Sequence, residues 1–302
     1  TAGSTKKRYE PLAMPAIFAA GVDRIESALE NNGIFGTPFG LAPMDEMIGG
    51  SAPGDYTVIA ARPGMGKTTL SLQMALAQAY FHEAPNLFFG AETTKEQLAL
   101  KVLAGDGIDQ QHLRSGRLSN DEWARVSAAM NRLQAIPFHF VPAAGISLSE
   151  FIAITRRHKR QHGLATVWFD HLGLFNTEEL GRNGNATAEL TAITKTFKAF
   201  AMGEGVSAVS LCQLNRACEL RADKRPVLSD LRDSGSIEQD ADNIVFIYRD
   251  EVYHTDAATK GEAELLFRKV RGGEIGIRRL RFEGKHSRFE AAKTHHDEIT
   301  FR

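Results

Sequence analysis

The chain has 302 residues, of which 43% are hydrophobic and 24% charged, and its formal net charge at pH 7 is −1. This composition is typical of a globular protein with a sizeable core, and it excludes nucleic-acid binding through overall positive charge. The chain has only two cysteines and no apolar run near the ~18 residues of a membrane span, which excludes a disulfide framework and favours the cytoplasm.

The first 32 residues are predicted to form an arm followed by one amphipathic helix. About the first 14 residues are polar and include a small basic cluster, so we expect a loose arm there. Over residues 15–32 apolar side chains recur at helical spacing, and Gly33 provides a stop signal. Such a helix packs on its own domain or docks on a neighbouring subunit, and the pattern alone leaves both open. We divide the chain into residues 1–32 and a main domain of residues 33–302.

The main domain alternates short apolar runs with amphipathic segments. Two helical segments begin with the capping-box pattern, at Ser119 and Ser147. Alternating strands and helices predict a mostly parallel sheet flanked by helices on both faces. Two further runs on either side of Gly272 and Gly273 predict an antiparallel hairpin at the edge of the sheet. The apolar runs that suit buried parallel strands are residues 56–61, 86–92, 164–170, 206–213 and 243–250.

The stretch AARPGMGKTTLSLQMALAQ (residues 60–78) places a glycine-rich turn between a predicted strand and a predicted helix. Backbone N–H groups at a helix N-terminus bind phosphate oxygens, and glycines let those oxygens approach. Gly-Lys-Thr of the Walker A pattern is intact, whereas Ala61 takes the place of its first glycine. We predict that Lys67 contacts the β- and γ-phosphates of ATP and that the Thr68 hydroxyl binds Mg²⁺. The predicted nucleotide-binding residues are Arg62, Pro63, Gly64, Met65, Gly66, Lys67, Thr68 and Thr69.

Three polar residues, Glu92, Asp170 and Gln213, each end an apolar run. Ligands of open α/β sheets bind beyond the carboxyl ends of the strands, so all three are expected at the edge that carries the glycine-rich turn. We assign Asp170 to Mg²⁺ coordination, Glu92 to deprotonation of the attacking water and Gln213 to hydrogen bonding of the γ-phosphate. For each residue alone, a structural role at the end of a strand is an equal alternative. Their occurrence together favours catalysis.

Across about residues 15–290 the sequence resembles the C-terminal motor domain of the replicative helicases of the DnaB family. The segment ARPGMGKTT resembles that family's Walker A motif, with the alanine at Ala61 included. The long block DKRPVLSDLRDSGSIEQDADNIVFIYRDEVYH (residues 223–254) does not occur in P-loop ATPases generally. LCQLNR and RKVRGG resemble the family's sensor strand and late basic motif. The resemblance implies an α/β fold of the RecA-like P-loop ATPase type, with an N-terminal linker helix.

The resemblance also implies a homo-oligomer, a hexameric ring with nucleotide sites between subunits. By position, it makes Asp170 the Walker B acid, Glu92 the catalytic base and Gln213 the sensor. Lys269 and Arg271 match the lysine and arginine finger that reach a neighbour's γ-phosphate. An arginine supplied in trans contributes a factor on the order of 10³–10⁵ in rate. Without the resemblance, these two residues would be interpreted as cations that protect an exposed edge strand.

A near-neutral protein can hold single-stranded DNA through backbone amides and a few local cations. The resemblance places Arg232, Asp233 and Gly235 on a loop that faces the central channel. Arg232 offers a guanidinium fork, and Gly235 permits close approach of the backbone to a phosphate. A second polar loop, residues 176–186, is expected to line the channel through Arg182. Either loop could be a plain solvent-exposed connection, although the length of the first favours function.

These features predict an ATP-dependent helicase that translocates on single-stranded DNA and unwinds duplex DNA during replication. It would act in the bacterial cytoplasm, with a helicase loader or primase as partner and no membrane association. The resemblance favours docking of the helix in residues 15–32 on the adjacent subunit. Two alternatives are a RecA-like recombination or repair ATPase without processive unwinding, and a helicase-like decoy subunit.

The sequence departs from the family pattern at two places. DHLGL stands where the family usually has DYLQL, so His171 and Gly173 change the surroundings of Asp170. GAE replaces Ser-Leu-Glu before the predicted base. The large N-terminal helical domain through which cellular members contact primase is absent from the sequence. We interpret this as a compact form from a mobile element or as a truncation.

Overall fold

The computed structural model describes residues 11–176, 186–231, 234–254 and 259–292. Within this part of the chain, one nine-stranded sheet organises the fold. Its strands are β1 (Tyr56–Ala61), β2 (Asn86–Gly90), β3 (Phe138–Pro142), β4 (Thr166–Asp170), β5 (Ser207–Gln213), β6 (Asn243–Tyr248), β7 (Glu262–Val270), β8 (Gly276–Glu283) and β9 (Arg288–Ala291). Their spatial order is β3-β2-β4-β5-β1-β6-β7-β8-β9. Strands β1 to β6 are parallel and β7 to β9 antiparallel, which confirms the mostly parallel sheet and its edge hairpin.

The described part of the chain has nine α-helices, of which the first two precede β1 and the others connect the parallel strands. They are α1 (Met14–Glu30), α2 (Ala42–Ile48), α3 (Lys67–Phe81), α4 (Lys95–Gly105), α5 (Gln110–Ser115), α6 (Asn120–Leu133), α7 (Leu148–His162), α8 (Ala186–Glu204) and α9 (Ser234–Asp240). The predicted capping boxes at Ser119 and Ser147 are confirmed, since each hydroxyl accepts a hydrogen bond from the backbone N–H three residues later. Thr94 forms a third capping box, at the start of α4, that the prediction missed.

Two strands, β3 and β9, were not predicted. Strand β3 (FHFVP) lies at the edge of the sheet, is only partly buried and ends in Pro142. Strand β9 has four residues at the opposite edge. A strand that is half exposed and pairs on one side lacks the continuous apolar run by which a buried parallel strand is recognised.

The core lies on both faces of the sheet because successive side chains of a strand point to opposite sides. On one face Phe169 of β4 packs with Phe151 of α7 and Phe197 of α8, whose rings stack at 4.8 Å between centroids. On the other face Trp168 packs in a cluster that includes Met74 of α3. The predicted covering of both faces by helices is therefore confirmed.

Helix α1 lies outside that core. None of its residues is buried, and its apolar side chains Phe18 and Leu29 are 65% and 81% exposed. The predicted helix is present, and within the described residues its apolar stripe is left open to solvent. None of the described helices is both long enough and apolar enough to cross a membrane.

The strand registers bring the carboxyl ends of the parallel strands together. Ala61 of β1 lies opposite Gln213 of β5, and Gly90 of β2 lies opposite Asp170 of β4. The segments that follow these strands therefore share one edge of the sheet, which we name the carboxyl edge. All the predicted strand-end residues lie there, as the sequence predicted.

Candidate functional site

The glycine-rich turn connects the end of β1 to the first residue of α3, Lys67. Gly64 and Gly66 adopt φ angles of 80° and 96°, which a residue with a side chain would adopt only with strain. At Gly66 a Cβ atom would also lie 2.7 Å from the ring of Phe289. The first turn of a helix leaves backbone N–H groups without intrahelical partners, and this turn presents them at the carboxyl edge. The arrangement suits an anion.

Thr68 and Asp170 meet at the start of α3. The Thr68 hydroxyl donates a 2.5 Å hydrogen bond to Oδ2 of Asp170. Asp170 is buried, and its Oδ1 has no hydrogen-bond partner among the described residues. A hydroxyl and a carboxylate with one unsatisfied oxygen are the oxygen donors that Mg²⁺ prefers, so these residues fit that ion. Among the described residues, no group of three or more His, Cys, Asp or Glu is placed to hold a metal.

Lys67 stands beside this pair. Burial lowers its pKa from the ordinary value, whereas the negative charges of Asp170 and Glu92 raise it. A partly desolvated ammonium next to exposed backbone N–H groups concentrates positive potential at the turn. The local electrostatics therefore favour a phosphate group there.

Glu92 lies beyond the end of β2, and its carboxylate reaches toward β4. The Oε1 atom is 3.1 Å from Nε2 of His171, the residue that follows Asp170. The His171 ring is buried, and its Nδ1 accepts a 3.2 Å hydrogen bond from the backbone N–H of Gly173. Burial lowers the pKa of His171, and the nearby Lys67 lowers it further, while Glu92 raises it. The sequence pointed to a change around Asp170 but not to this contact with Glu92.

Gln213 ends β5 with an exposed side chain. It lines a cleft of about 610 Å³ together with His171, Arg62 and Glu189. The cleft opens between the segments that follow β4 and β5. Gln213 therefore stands on the same edge as Glu92 and Asp170, on the side toward α8.

The other predicted nucleotide-binding residues hold the turn in place. The Arg62 guanidinium donates to Glu219 at 2.7 Å and to the carbonyl oxygen of Leu214 at 2.8 Å, so it ties the turn to the segment after β5. Pro63 and Gly64 are exposed, whereas Met65 and Thr69 are buried. The Thr69 hydroxyl lies 3.2 Å from that of Ser287, in the turn between β8 and β9.

The sequence reasoning missed Arg249 and Phe282. Arg249 follows β6 at the carboxyl edge and donates a 3.1 Å hydrogen bond to the carbonyl oxygen of Gly64. Its guanidinium carbon lies 3.7 Å from the ring centroid of Phe282, which β8 supplies. Both residues line a cleft of about 660 Å³ that also includes Lys260 and Gly284. Like Gln213, Arg249 is a polar residue at the end of an apolar run, so the sequence could have indicated it. Phe282, in contrast, reaches the site only through the pairing of β7 with β8.

Lys269 and Arg271 lie at the other end of the sheet. Strand β7 runs antiparallel to β6, so its last residues pair with Asn243 and Ile244 at the start of β6. A six-residue strand spans about 20 Å, which separates both cations from the carboxyl edge of the same chain. Lys269 donates to the carbonyl oxygens of Glu238 and Ala241 at the end of α9, at 2.5 and 2.6 Å.

Arg271 donates to the buried carboxylate of Asp242 at 2.8 Å and is itself 72% exposed. Lys198 and the backbone N–H of Tyr56 donate to the other oxygen of Asp242, at 2.5 and 2.8 Å. The pKa of Asp242 is lowered because the hydrogen bonds from Lys198, Arg271 and Tyr56 together outweigh the raising effect of burial. Asp242 was not singled out by the sequence.

Three of the predicted DNA-binding residues, Arg182, Arg232 and Asp233, lie outside the described residues. The fourth, Gly235, is in the first turn of α9 and is exposed. A Cβ atom there would meet nothing within 4 Å, so the fold itself does not require glycine at this position.

The model of the DnaB-like helicase C terminal domain family matches residues 36–291. The replicative DNA helicase DnaB of Pasteurella multocida is 39% identical over 293 residues, which are 95% of this chain and 62% of that protein. The corresponding protein of Leifsonia xyli is 36% identical, over 93% of this chain and 61% of that protein. The chain thus spans less than two thirds of the length of these relatives.

Two solved structures are similar throughout most of the chain. The ATPase domain of G40P has a TM-score of 0.88 and 30% sequence identity, with 94% of this chain and all of that chain covered. A DnaB-like replicative helicase, described with its interactions with primase, has a TM-score of 0.84 and 30% identity, with 94% and 68% covered.

Proposed function

Because the chain belongs to the DnaB-like helicase C-terminal domain family, we propose that it is the ATPase motor of a replicative DNA helicase. The observation that carries this proposal is the convergence of four side chains on the carboxyl edge, around a glycine-rich turn. Thr68 and Asp170 are hydrogen-bonded, Lys67 adjoins them, and Glu92 lies across from them just beyond the end of β2. These are the types of side chain that phosphoryl transfer requires, and they lie on a RecA-like fold.

The turn and Lys67 bind the β- and γ-phosphates of ATP, with the backbone N–H groups of α3 aimed at the phosphate oxygens. Thr68 and Asp170 are the residues that would hold Mg²⁺, and the ion would supply positive charge that stabilises the negative charge developing on the phosphate. Glu92 accepts a proton from water as the water oxygen bonds to the γ-phosphorus. The bond to the β-phosphate oxygen breaks at the same centre, and ADP and inorganic phosphate leave. Gln213 hydrogen-bonds the γ-phosphate from the neighbouring strand end.

The cleft at Arg249 and Phe282 takes the adenine base. It adjoins Gly64 of the turn, so a nucleotide whose phosphates lie at α3 can extend its base into it. A guanidinium and an aromatic ring both stack on a flat purine.

Lys269 and Arg271 act on the nucleotide of an adjacent subunit. Their position about 20 Å from the carboxyl edge of their own chain, as estimated from the length of β6, supports a role in trans. A ring of identical subunits joined head to tail would bring the exposed Arg271 of one chain to the glycine-rich turn of the next. The open apolar stripe of α1 is the second element that we assign to this contact between subunits, with residues 1–32 as linker and 33–302 as motor domain.

ATP hydrolysis at these contacts between subunits, which we name seams, moves two loops along single-stranded DNA. The loops contain Arg182, Arg232, Asp233 and Gly235. The hexameric ring excludes the complementary strand and so unwinds the duplex. Primase or a helicase loader would act as partner in the bacterial cytoplasm. The printed description of one structural relative includes interactions with primase, which supports that choice of partner.

The test is ATP hydrolysis and strand displacement on a forked DNA, with the mass of the assembly measured alongside. The Lys67→Ala variant should keep the oligomeric mass but lose hydrolysis and unwinding. The matched control is Lys195→Ala, which removes an exposed lysine from α8 and should hydrolyse ATP without DNA at the parental rate. Undiminished turnover by Lys67→Ala would refute the site, and hydrolysis without strand displacement would favour a repair ATPase. A wild-type protein with no ATPase activity, with or without DNA, would identify a decoy.

A further inference from the structure

His171 and Gly173 replace two residues of the expected family pattern, and the structure shows that the two replacements belong together. The backbone N–H of Gly173 donates to Nδ1 of His171 at 3.2 Å. A Cβ atom at position 173 would lie 3.1 Å from Cε1 and 3.3 Å from Nδ1 of the ring. Any side chain at position 173 would therefore crowd the imidazole. Glycine avoids this crowding, so the ring keeps its place and its hydrogen bond with the backbone of residue 173.

This contact determines which nitrogen of the imidazole carries the proton. Because Nδ1 accepts a hydrogen bond from Gly173, the proton of the ring is on Nε2. Nε2 lies 3.1 Å from Oε1 of Glu92, so it donates to the carboxylate. One buried ring thus links the backbone after Asp170 to the residue that we assign as the base.

Glu92 needs such a partner more than Asp170 does. Its side chain is 57% exposed and lies on a short segment after β2, whereas the side chain of His171 is 10% exposed. Among the described residues, His171 supplies the hydrogen bond found on the Glu92 carboxylate. An exposed glutamate with three rotatable bonds would otherwise sample many orientations. The hydrogen bond to Oε1 leaves Oε2 as the oxygen available to a water molecule.

We propose that His171 is a positioning residue that orients the Glu92 carboxylate toward the water that attacks ATP. The proposal rests on the assignment of Glu92 as the general base. His171 acts through Glu92, whose carboxylate oxygen lies 3.1 Å from its Nε2. A base displaced by about 1 Å can lose a factor of up to about 100 in rate, so a side chain that restrains it affects kcat more than substrate binding.

The experiment compares two replacements of His171 in the full chain. His171→Phe keeps a ring of similar size and removes the donor, and it should lower kcat for ATP about tenfold while KM changes less than about twofold. His171→Gln places an N–H donor at a similar distance from the backbone and should restore most of kcat. Nucleotide affinity and thermal unfolding, measured for both variants, show whether either has lost its fold. The split between kcat and KM and the rescue by glutamine are not expected of a purely structural residue.

A double-mutant cycle tests whether His171 acts through Glu92. In a Glu92→Ala background, His171→Phe should have no further effect on the residual rate. The proposal is overturned if His171→Phe keeps the parental kcat, if glutamine restores nothing in a folded variant, or if the two changes lower the rate independently. Failure of the proposed function has a different signature, because ATP hydrolysis would then survive Lys67→Ala and Glu92→Ala. If those two variants are inactive and His171→Phe is not, the positioning role alone is wrong.

Discussion

Arg271 donates a 2.8 Å hydrogen bond to Asp242 at the end of the sheet opposite the hydrogen-bonded pair of Thr68 and Asp170. The antiparallel course of β7 produces this separation, because the strand leaves the carboxyl edge and returns toward the start of β6. A cation at this place cannot serve the nucleotide of its own chain. This separation supports our proposal that Arg271 acts on the nucleotide of a second copy of the chain.

Subunits that lack different halves of the site should therefore complement each other. Glu92→Ala and Arg271→Ala are each expected to lose all but a small residual rate of ATP hydrolysis. In mixed rings, about a quarter of the seams in a random mixture combine an intact Glu92 with an intact Arg271, and turnover should recover accordingly. Steady-state ATPase rates of mixtures after subunit exchange provide the measurement. Native mass spectrometry confirms that mixed rings have formed, and no recovery in such rings would contradict catalysis in trans.

Asp242 and Arg271 should differ in their effects on stability. Asp242→Ala removes the acceptor of the Tyr56 N–H and the only carboxylate among the described residues that pairs with Lys198, which keeps a hydrogen bond to the carbonyl oxygen of Gly54. Breaking a buried pair of this kind costs about 3 kcal/mol. Arg271→Ala removes an exposed partner and should change the free energy of unfolding little, although it abolishes turnover. Chemical denaturation of both variants measures the difference. Equal destabilisation would show that the ion pair, and not the buried carboxylate, stabilises this end of the sheet.

Arg249 and Phe282 should contribute to the affinity for ATP but not to the affinity for a phosphate chain that has no base. Phe282→Leu keeps apolar volume but removes the ring, so affinity for ATP should fall about tenfold, since stacking on a base contributes ~1–3 kcal/mol. Affinity for inorganic tripolyphosphate, which has no base, should not change. Titration calorimetry with both ligands gives the comparison. A parallel loss of both affinities would indicate that Phe282 supports the glycine-rich turn and does not bind adenine.

His158 of α7 should make stability depend on pH. It is buried against His139 and His162, and its pKa is lowered to about 4 by burial and by these two neighbouring rings. The unfolded chain, with an ordinary histidine pKa of 6.5, binds more protons below that pH, so stability is complete above pH 6.5 and declines toward about pH 4. The loss between about pH 7.5 and about pH 5 should reach at most about 2 kcal/mol.

Urea unfolding of the parent and of His158→Leu at these two values of pH isolates that contribution. The difference between the two conditions should shrink in the variant, because a leucine binds no proton. An unchanged pH dependence would mean that other groups titrate over this range.

The strands and the glycine-rich turn could be predicted because their signals are local. Strand β1 begins and ends where its apolar run does, and Gly66 is recognised from its neighbours in sequence. The sequence also predicted that Glu92, Asp170 and Gln213 lie at one edge, because each follows a strand and parallel strands align their carboxyl ends whatever their order in the sheet. The edge strand β3 was not predicted because a partly exposed strand lacks the continuous apolar run from which a strand is recognised.

The sequence by itself determined the type of fold, the glycine-rich turn and the carboxylates around it, since each depends on residues close together in the chain or on a shared strand direction. The tertiary structure alone decided that His171 contacts Glu92, that Arg249 stacks on Phe282, and that Arg271 lies at the far end of the sheet. The pairing of β2 with β4, of β6 with β7 and of β7 with β8 produces these relationships. No local pattern specifies such distances, because they depend on which strands become neighbours and in which direction they run.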